Sequence, residues 1–262
     1  CALPICGVAS SGMLCSAQEL KLDLEKLPEE QKTGIFILPS DTPVGIPAKD
    51  VLGLNDVVLE FELTANRADC FSVFGLVREI AAITGNKPHF PEIKVNEDDN
   101  TKLNDIFSVE IADPDLCSRF STRMLKNVKI GPSPEWMQQR LEGAGIRSIN
   151  NVVDVTNFVM IELGHPMHAY DYDAVSGHEL TARRSTEGEL LHTLDDTSRK
   201  AKKDMLVIAD AQKAAGLAGI MGGFETEITP KTTTVILEAA KFYGPNIRRT
   251  SRFCNLISEA SG

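Results

Sequence analysis

One short stretch of the chain shows a hydrophobic period of two. Between residues 56 and 63, Val57, Leu59, Phe61 and Leu63 occupy every second position, and two of the three residues between them are glutamates. Because successive side chains of a strand point to opposite faces, this spacing predicts a half-buried β-strand.

The next segment changes to helical spacing. Its apolar residues recur every three or four positions: Val73, Leu76, Val77, Ile80 and Ile83. This pattern predicts a helix over about 72–84 with one buried face. Gly85 would end it, because glycine readily takes the left-handed conformation found after helix C-termini.

The rest of the chain mixes both periods, and residues 88–105 resemble a linker. Strands are predicted at 106–112, 119–130, 179–185, 189–194, 205–209, 216–221 and 233–240. Helices are predicted from Pro134 to Gly143 or Gly145, over 150–163 and over 245–253. Helices that alternate irregularly with hairpin-like strands indicate an α+β fold of mixed sheets with packed helices. Residues 1–50, rich in glycine, proline and short apolar runs such as 34–38, are typical of part of a small β-barrel.

Composition excludes several classes of protein. The 262 residues are 42% hydrophobic and 24% charged, which is ordinary for a globular chain and rules out wholesale disorder. No apolar run approaches the roughly 20 residues needed to span a bilayer, so no membrane partner is expected. The net charge of −10 argues against non-specific coating of nucleic acid. The basic segments 119–147 and 241–252 could still contact phosphates, or they could be solvated or paired within the fold.

The six cysteines are scattered and form no CxxC pair, which favours neither a zinc site nor a disulfide framework. No metal is therefore expected. With no secretory segment visible, we expect reduced thiols and a cytoplasmic protein. The chain starts at Cys1 rather than at methionine, so it is interpreted as part of a longer polypeptide.

Four places carry side chains suited to chemistry. His168 follows a predicted helix end and has the residue type of a general acid or base, although the residue type alone favours a structural histidine. Thr156 and Asn157 interrupt a valine-rich helix and could face solvent or line a pocket. Glu238 is an acid within an apolar strand, where it must find water, a cation or a donor. The small residues at 216–223 match no phosphate-binding loop.

Several blocks of the sequence together resemble one family, the β subunit of bacterial phenylalanyl-tRNA synthetase. They occur in the family's order along essentially the whole chain: Leu63-Thr64-Ala65-Asn66-Arg67-Ala68-Asp69-Cys70, Ile149 to Asn157, Gly164-His165-Pro166-Met167-His168-Ala169-Tyr170-Asp171, Gly216 to Gly223, Leu237-Glu238-Ala239-Ala240, and Ile247-Arg248-Arg249-Thr250 with Ser258-Glu259-Ala260-Ser261. Departures from the family pattern are His165 in place of glutamine, and Ala65 and Ser148 in place of proline.

The resemblance implies a domain order and a set of partners. Residues 1–50 would be the C-terminal part of an OB-type tRNA-binding domain, 51–90 a strand-helix segment of the small module flanking it, and 91–262 a B3/B4 editing domain. The parent enzyme would attach phenylalanine to tRNA(Phe) with ATP and Mg²⁺, as an α2β2 heterotetramer with an α subunit. This part of it would need no cofactor and would not act as a synthetase.

The resemblance also implies a site that hydrolyses Tyr-tRNA(Phe). Its catalytic residues would be His168, Thr156 and Asn157. Its substrate-binding residues would be Glu238, Gly219 and Ala240, with the carboxylate of Glu238 accepting the tyrosine hydroxyl. The alternative is a non-catalytic scaffold for tRNA docking and subunit assembly. Convergence of the polar side chains in one cavity would favour the hydrolase.

Overall fold

The computed structural model describes residues 3–5, 8–10, 12–22, 24, 27–53, 55–98 and 100–261. The chain divides into two compact units, Cys1–Val57 and Val58–Gly262. The three domain boundaries expected from the family resemblance stay a prediction.

The first unit contains little regular structure among its described residues. Strand β1 (Leu3–Ile5) pairs antiparallel with β2 (Val8–Ser10), and two single-turn helices follow, α1 (Glu29–Lys32) and α2 (Ala48–Val51). The apolar run at 34–38 forms bends and irregular backbone rather than a strand. The assignment of this region to a β-barrel stays a prediction.

The alternating segment at 56–63 is not a strand, so that prediction is wrong. Its backbone is irregular, and the side chains of Val57, Leu59 and Phe61 are 76%, 68% and 47% exposed. No described strand pairs with this segment. A strand needs a neighbour to accept its backbone hydrogen bonds and cover its apolar face, and sequence alternation cannot supply that neighbour.

Helix α3 (Val73–Thr84) confirms the helical prediction made from apolar spacing. The hydroxyl of Ser72 accepts a hydrogen bond from the backbone N–H of Gly75, which caps the first turn. Gly85 ends the helix at φ 70°, in the left-handed region. Local residues therefore define both ends of α3.

The described residues of the second unit form three sheets. Their strands are β3 (Ser108–Ile111), β4 (Cys117–Leu125), β5 (Met167–Asp171), β6 (Glu179–Arg184), β7 (Leu190–Thr193), β8 (Thr197–Lys200), β9 (Leu206–Ala209), β10 (Ala214–Leu217), β11 (Met221–Gly222) and β12 (Val235–Phe242). One sheet has the order β11-β10-β9-β6-β3, another the order β4-β12-β5, and β7 pairs with β8. All pairs are antiparallel except β3 with β6, which is parallel.

Three α-helices follow α3 in the described part of the chain: α4 (Glu135–Gly143), α5 (Asn151–Leu163) and α6 (Gly244–Cys254). All three lie close to their predicted ranges, and α5 is capped by Asn150, whose side-chain oxygen accepts from two backbone N–H groups of the first turn. The α+β class is confirmed. Sequence patterning missed strands β5 and β8. The single strand predicted over 216–221 is also wrong, because this segment contains the end of β10, a turn and the start of β11.

The largest apolar cluster connects the five-stranded sheet to the second sheet and to α6. Leu180, Val207 and Leu217 contribute from β6, β9 and β10, while Ile236 belongs to β12 and Ile247 to α6. Because β12 and α6 are anchored in this core, the side chains that follow Ile236 on the same face of β12 are held in defined positions.

Candidate active site

Strands β5 and β12 bring two predicted site residues into direct opposition. His168 pairs with Glu238, and Tyr170 pairs with Ile236 at the next position of the same face. Opposed residues of an antiparallel pair project to the same side of the sheet, and diagonal neighbours remain within reach of long side chains. Ala240, two residues beyond Glu238, shares this face.

This face lines a cavity of about 320 Å³. Its walls come from the end of the α5–β5 connection, from β5, from the 216–222 segment, from β12 and from α6. Among the lining residues are four of the six predicted site residues: His168, Gly219, Glu238 and Ala240. The structure thus gathers these four residues from three segments that are distant in sequence.

The carboxyl group of Glu238 is nearly removed from solvent, with 6% of the residue exposed. The hydroxyl of Tyr170 donates to Glu238 Oε2 at 2.5 Å. Burial raises the pKa of Glu238 to about 7, and the hydrogen bond from Tyr170 works in the opposite direction. Burial also raises the pKa of Tyr170 well above its usual value, with the charge of Glu238 adding to the effect.

Glu238 therefore has an internal partner that was absent from the sequence analysis. Among the described residues no group donates to its second oxygen, Oε1. One oxygen of the carboxyl group is thus engaged by the protein, while the other can accept a hydrogen bond from a ligand in the cavity. The sequence signal for Tyr170 is weak, because no strand is predicted for its segment and nothing local indicates that it faces Glu238.

His168 is half-buried, and its Nε2 atom is inaccessible to solvent with no hydrogen-bond partner. Its ring packs edge-on against Tyr170, with 4.5 Å between ring centroids. Burial lowers the pKa of His168 to about 4, so the imidazole is neutral at pH 7. A neutral imidazole can accept a hydrogen bond from water or from a substrate hydroxyl.

Two glycines make space for the cavity. A Cβ atom on Gly222 would lie 2.3 Å from Cε1 of His168, so only glycine lets the backbone pass this close to the ring. Gly219 has a φ of 65°, in the left-handed region, and a Cβ there would meet the ring of Phe242 at 3.1 Å. The close approach of the His168 and Phe242 rings therefore explains why glycine occupies positions 222 and 219.

Thr156 and Asn157 are not among the residues that line the cavity. They lie within helix α5, where Thr156 is buried and its hydroxyl donates to the carbonyl of Val153 at 2.7 Å. Asn157 is half-buried. The structure does not bring this pair together with the other four predicted site residues, and its catalytic role stays a prediction.

A second acid, Asp154, is fully buried, and its hydrogen bonds indicate a structural role. Its carboxylate accepts hydrogen bonds from the hydroxyls of Ser133 and Ser148, both at 2.5 Å, and from the backbone N–H of Ile149 at 2.7 Å. Ser148, one of the departures from the family pattern, thus helps to anchor the start of α5. The other departure in this region, His165, lines the cavity.

Within the described part of the chain, no cluster of three or more His, Cys, Asp or Glu residues could hold a metal ion. The same residues include no helix that is long and apolar enough to span a membrane.

Comparisons with known proteins agree on one family. The family model of the B3/4 domain matches residues 116–262. The chain is 52% identical over 255 residues to the phenylalanine–tRNA ligase beta subunit of Moorella thermoacetica and 46% identical over 255 residues to that of Geobacillus kaustophilus; each alignment covers 97% of this chain and 32% of the relative. The chain therefore spans about a third of the length of these relatives.

A solved structure, an N-terminal fragment of the phenylalanyl-tRNA synthetase beta-subunit from Pyrococcus horikoshii, is similar at 11% identity with a TM-score of 0.41, covering 72% of this chain and 58% of the other. Because the family model matches more than half of the 262 residues, the chain belongs to the B3/4 domain family and is related along nearly its whole length to phenylalanine–tRNA ligase beta subunits.

Proposed function

We propose that this chain is the editing part of a phenylalanine–tRNA ligase β subunit and hydrolyses the ester that joins tyrosine to tRNA(Phe). The single observation that carries the proposal is the buried carboxyl group of Glu238, which faces the cavity with one oxygen engaged by Tyr170. The close similarity to ligase β subunits supports the same function.

The carboxyl group explains why the site would select tyrosine over phenylalanine. The two amino acids differ by one hydroxyl, and an apolar pocket alone cannot strongly reject either. A site that must hydrogen-bond the hydroxyl can reject the analogue lacking it by about 10⁴-fold, because the buried polar group is otherwise left without its partner. Glu238 Oε1 is the proposed acceptor of the phenol proton.

The cavity has dimensions and walls that suit an aromatic side chain. Its volume of about 320 Å³ lies at the lower end of typical small-ligand sites. Gly219 and Ala240 leave room for a ring, while Phe242 and Ile247 provide apolar contact. The ring of a phenol could thus contact apolar side chains while its hydroxyl meets the carboxyl group of Glu238.

Hydrolysis would need little chemistry from the protein. Water attacks the carbonyl carbon of the ester, the bond to the ribose oxygen breaks, and that oxygen leaves as a ribose hydroxyl after gaining a proton. Neutral His168 would orient the attacking water through a ring nitrogen. Because an aminoacyl ester is already activated, positioning and the neighbouring ribose hydroxyl can contribute most of the acceleration. Thr156 and Asn157 are proposed to assist on the strength of the family resemblance alone.

The partners of the whole ligase are part of the proposal. They are tRNA(Phe) and an α subunit in an α2β2 assembly located in the cytoplasm. Hydrolysis of the ester by water uses neither ATP nor Mg²⁺, which belong to the charging reaction of the whole ligase. A role as a non-catalytic docking scaffold is the alternative, and the position of Thr156 and Asn157 outside the cavity is the observation in its favour.

Binding of free amino acids tests the pocket directly. Calorimetric titration of the chain should show tighter binding of tyrosine than of phenylalanine. In Glu238→Gln this preference should fall by about 10- to 100-fold, the range expected when a hydrogen bond to a charged group is lost. Glu110→Gln, on an exposed position of β3, is the matched control and should keep the preference.

The same two variants in the intact ligase test the reaction. Glu238→Gln should slow deacylation of Tyr-tRNA(Phe) and leave phenylalanine charging unchanged. Equal binding of tyrosine and phenylalanine by the unmodified chain, or unchanged deacylation in Glu238→Gln, would refute the proposal.

A further inference from the structure

Helix α6 presents three arginines to solvent without acidic partners. Arg248, Arg249 and Arg252 are exposed, and no described carboxylate forms an ion pair with them. Arginines elsewhere in the described chain differ, because most pair with acids: Arg67, Arg123, Arg183, Arg184 and Arg199. Three unpaired cations on one short helix, in a chain with a net charge of −10, indicate a surface kept free for an anionic ligand.

The opposite side of α6 fixes the direction of these arginines. Ile247, Thr250 and Ser251 are buried. The amide group of Asn246 donates to the carbonyl of Asp204 at 2.8 Å, and its oxygen accepts from the N–H of Leu206 at 3.3 Å. Because the helix cannot rotate without breaking these contacts, its arginines are held toward solvent.

Two of the three arginines of α6 line cavities. Arg248 lines the candidate active site together with Lys241. Arg249 lines a second cavity of about 350 Å³ with Lys202 and Lys203. Neighbouring residues of one helix thus reach two separate concave surfaces. We call the six basic residues the α6 basic face: Lys202, Lys203, Lys241, Arg248, Arg249 and Arg252.

Exposed aromatic rings accompany these cations. Tyr243 and Phe253, at the two ends of α6, are 54% and 46% exposed. The ammonium group of Lys202 lies 4.1 Å from the centre of the Phe253 ring. The one acid lining the second cavity, Asp204, lies 3.5 Å from the Nε of Arg184, so part of its charge is offset. Cations interleaved with exposed aromatic rings are typical of surfaces that bind single-stranded nucleic acid.

We propose that the α6 basic face binds the phosphodiester backbone of a single-stranded RNA end and directs its terminal ribose to the candidate active site. Arg249 with Lys202 and Lys203 would contact phosphates upstream, and Arg248 with Lys241 would contact those nearest the cavity. The proposal rests on the proposed function for the ester that the RNA carries, whereas the RNA contact itself does not depend on hydrolysis. An acidic protein surface would use the same cations but would have no need of the exposed rings.

Salt-dependent RNA binding by the whole chain tests the proposal. The probe is a fluorescently labelled single-stranded RNA of about 12 nucleotides that carries no amino acid. Its binding is followed by fluorescence anisotropy over a range of salt concentrations. Arg249→Glu and Arg252→Glu should each weaken binding about tenfold and reduce the slope of log K against log salt by about 0.7 or more. Arg140→Glu is the matched control, since Arg140 is exposed on helix α4 and is not part of the α6 basic face.

The outcomes separate this proposal from the preceding one. Equal weakening of RNA binding by Arg249→Glu and Arg140→Glu would overturn the proposed role of the α6 basic face. The same conclusion would follow if polyglutamate displaced the labelled RNA as effectively as unlabelled RNA of equal charge. Thermal unfolding verifies that each variant is folded, and Arg249→Gln replaces Arg249→Glu if the latter is not. Free tyrosine should bind Arg249→Glu as it binds the unmodified chain. If Arg249→Glu weakens RNA binding but the unmodified chain binds no tyrosine, the result would support the α6 basic face and reject the editing pocket.

Discussion

Glu238 and His168 face each other across β5 and β12, and burial displaces their pKa values in opposite directions. The pKa of Glu238 rises from its ordinary value of 4.5 to about 7, and the pKa of His168 falls from 6.5 to about 4. Between pH 4.5 and 6.5, the folded chain therefore contains a protonated Glu238 and a neutral His168. The unfolded chain contains a carboxylate and an imidazolium instead.

The two groups consequently make opposite contributions to the pH dependence of stability. The raised pKa of Glu238 stabilises the fold at low pH, and this contribution is lost as the pH rises from 4.5 through about 7. The lowered pKa of His168 stabilises the fold above 6.5, and this contribution is lost as the pH falls through about 4. A difference of one bound proton corresponds to about 1.4 kcal/mol per pH unit. In the unmodified chain the two slopes should therefore cancel within this window.

Removing either group should expose the slope of the other. Relative to the unmodified chain, Glu238→Gln should gain stability by about 1.4 kcal/mol for each unit of rising pH between about pH 5 and pH 6.5, because only the histidine contribution remains. His168→Gln should lose stability at the same rate and over the same range. Because each variant is compared with the unmodified chain at the same pH, the contributions of all other titrating residues drop out of the difference in stability.

Urea unfolding at several pH values measures these slopes. The chain has a single tryptophan, Trp136, which lies in the same compact unit as both groups and reports the unfolding of that unit. Equal m-values among the variants would show that the comparison is valid. Glu110→Gln, at an exposed strand position, is the matched control for the loss of one carboxyl group. Slopes of the same sign in the two site variants, or no slope in either, would refute this account of the buried pair.

Two further changes test the surroundings of the pair. Tyr170→Phe removes the hydroxyl that donates to Glu238. Loss of this charge-assisted hydrogen bond should raise the pKa of the Glu238 carboxyl group by a further 1 to 2. Infrared absorption of the carboxyl group, followed against pH, measures this upward shift. Tyr172→Phe, whose hydroxyl bonds a backbone carbonyl, is the control and should leave the pKa of Glu238 in place. Gly222→Ala would place a methyl group 2.3 Å from the His168 ring. It should destabilise the fold by about 1–3 kcal/mol, measured by thermal unfolding, and abolish tyrosine binding, measured by calorimetry. Unchanged stability and unchanged tyrosine binding would contradict the close approach of Gly222 to the ring.

Local patterns were sufficient where neighbouring residues determine the structure. Helices α3 and α5 were predicted close to their observed bounds, because each has a side-chain cap and ends at a left-handed glycine. The segment at 56–63 shows the limit of this approach. Its alternation is as regular as in any strand, yet the described chain provides no partner strand for it.

The candidate site illustrates the same limit at the level of chemistry. Residue types alone left His168 and Glu238 with structural alternatives, and only the family resemblance selected them. The structure then placed His168, Gly219, Glu238 and Ala240 around one cavity, while Thr156 and Asn157 lie in α5 outside it. A valine-rich helix does not reveal which of its polar residues turn toward a pocket, because that depends on how the helix packs.

The sequence by itself determined the helix ends, most strand positions, the α+β class and the family, since these depend on nearby residues or on linear motifs. Only the tertiary structure decided the environment of Glu238. Its partner Tyr170 is 68 residues away and becomes a neighbour through the pairing of β5 with β12. Pairing between distant strands is set by the register of the whole sheet and by the core behind it, which no local pattern encodes.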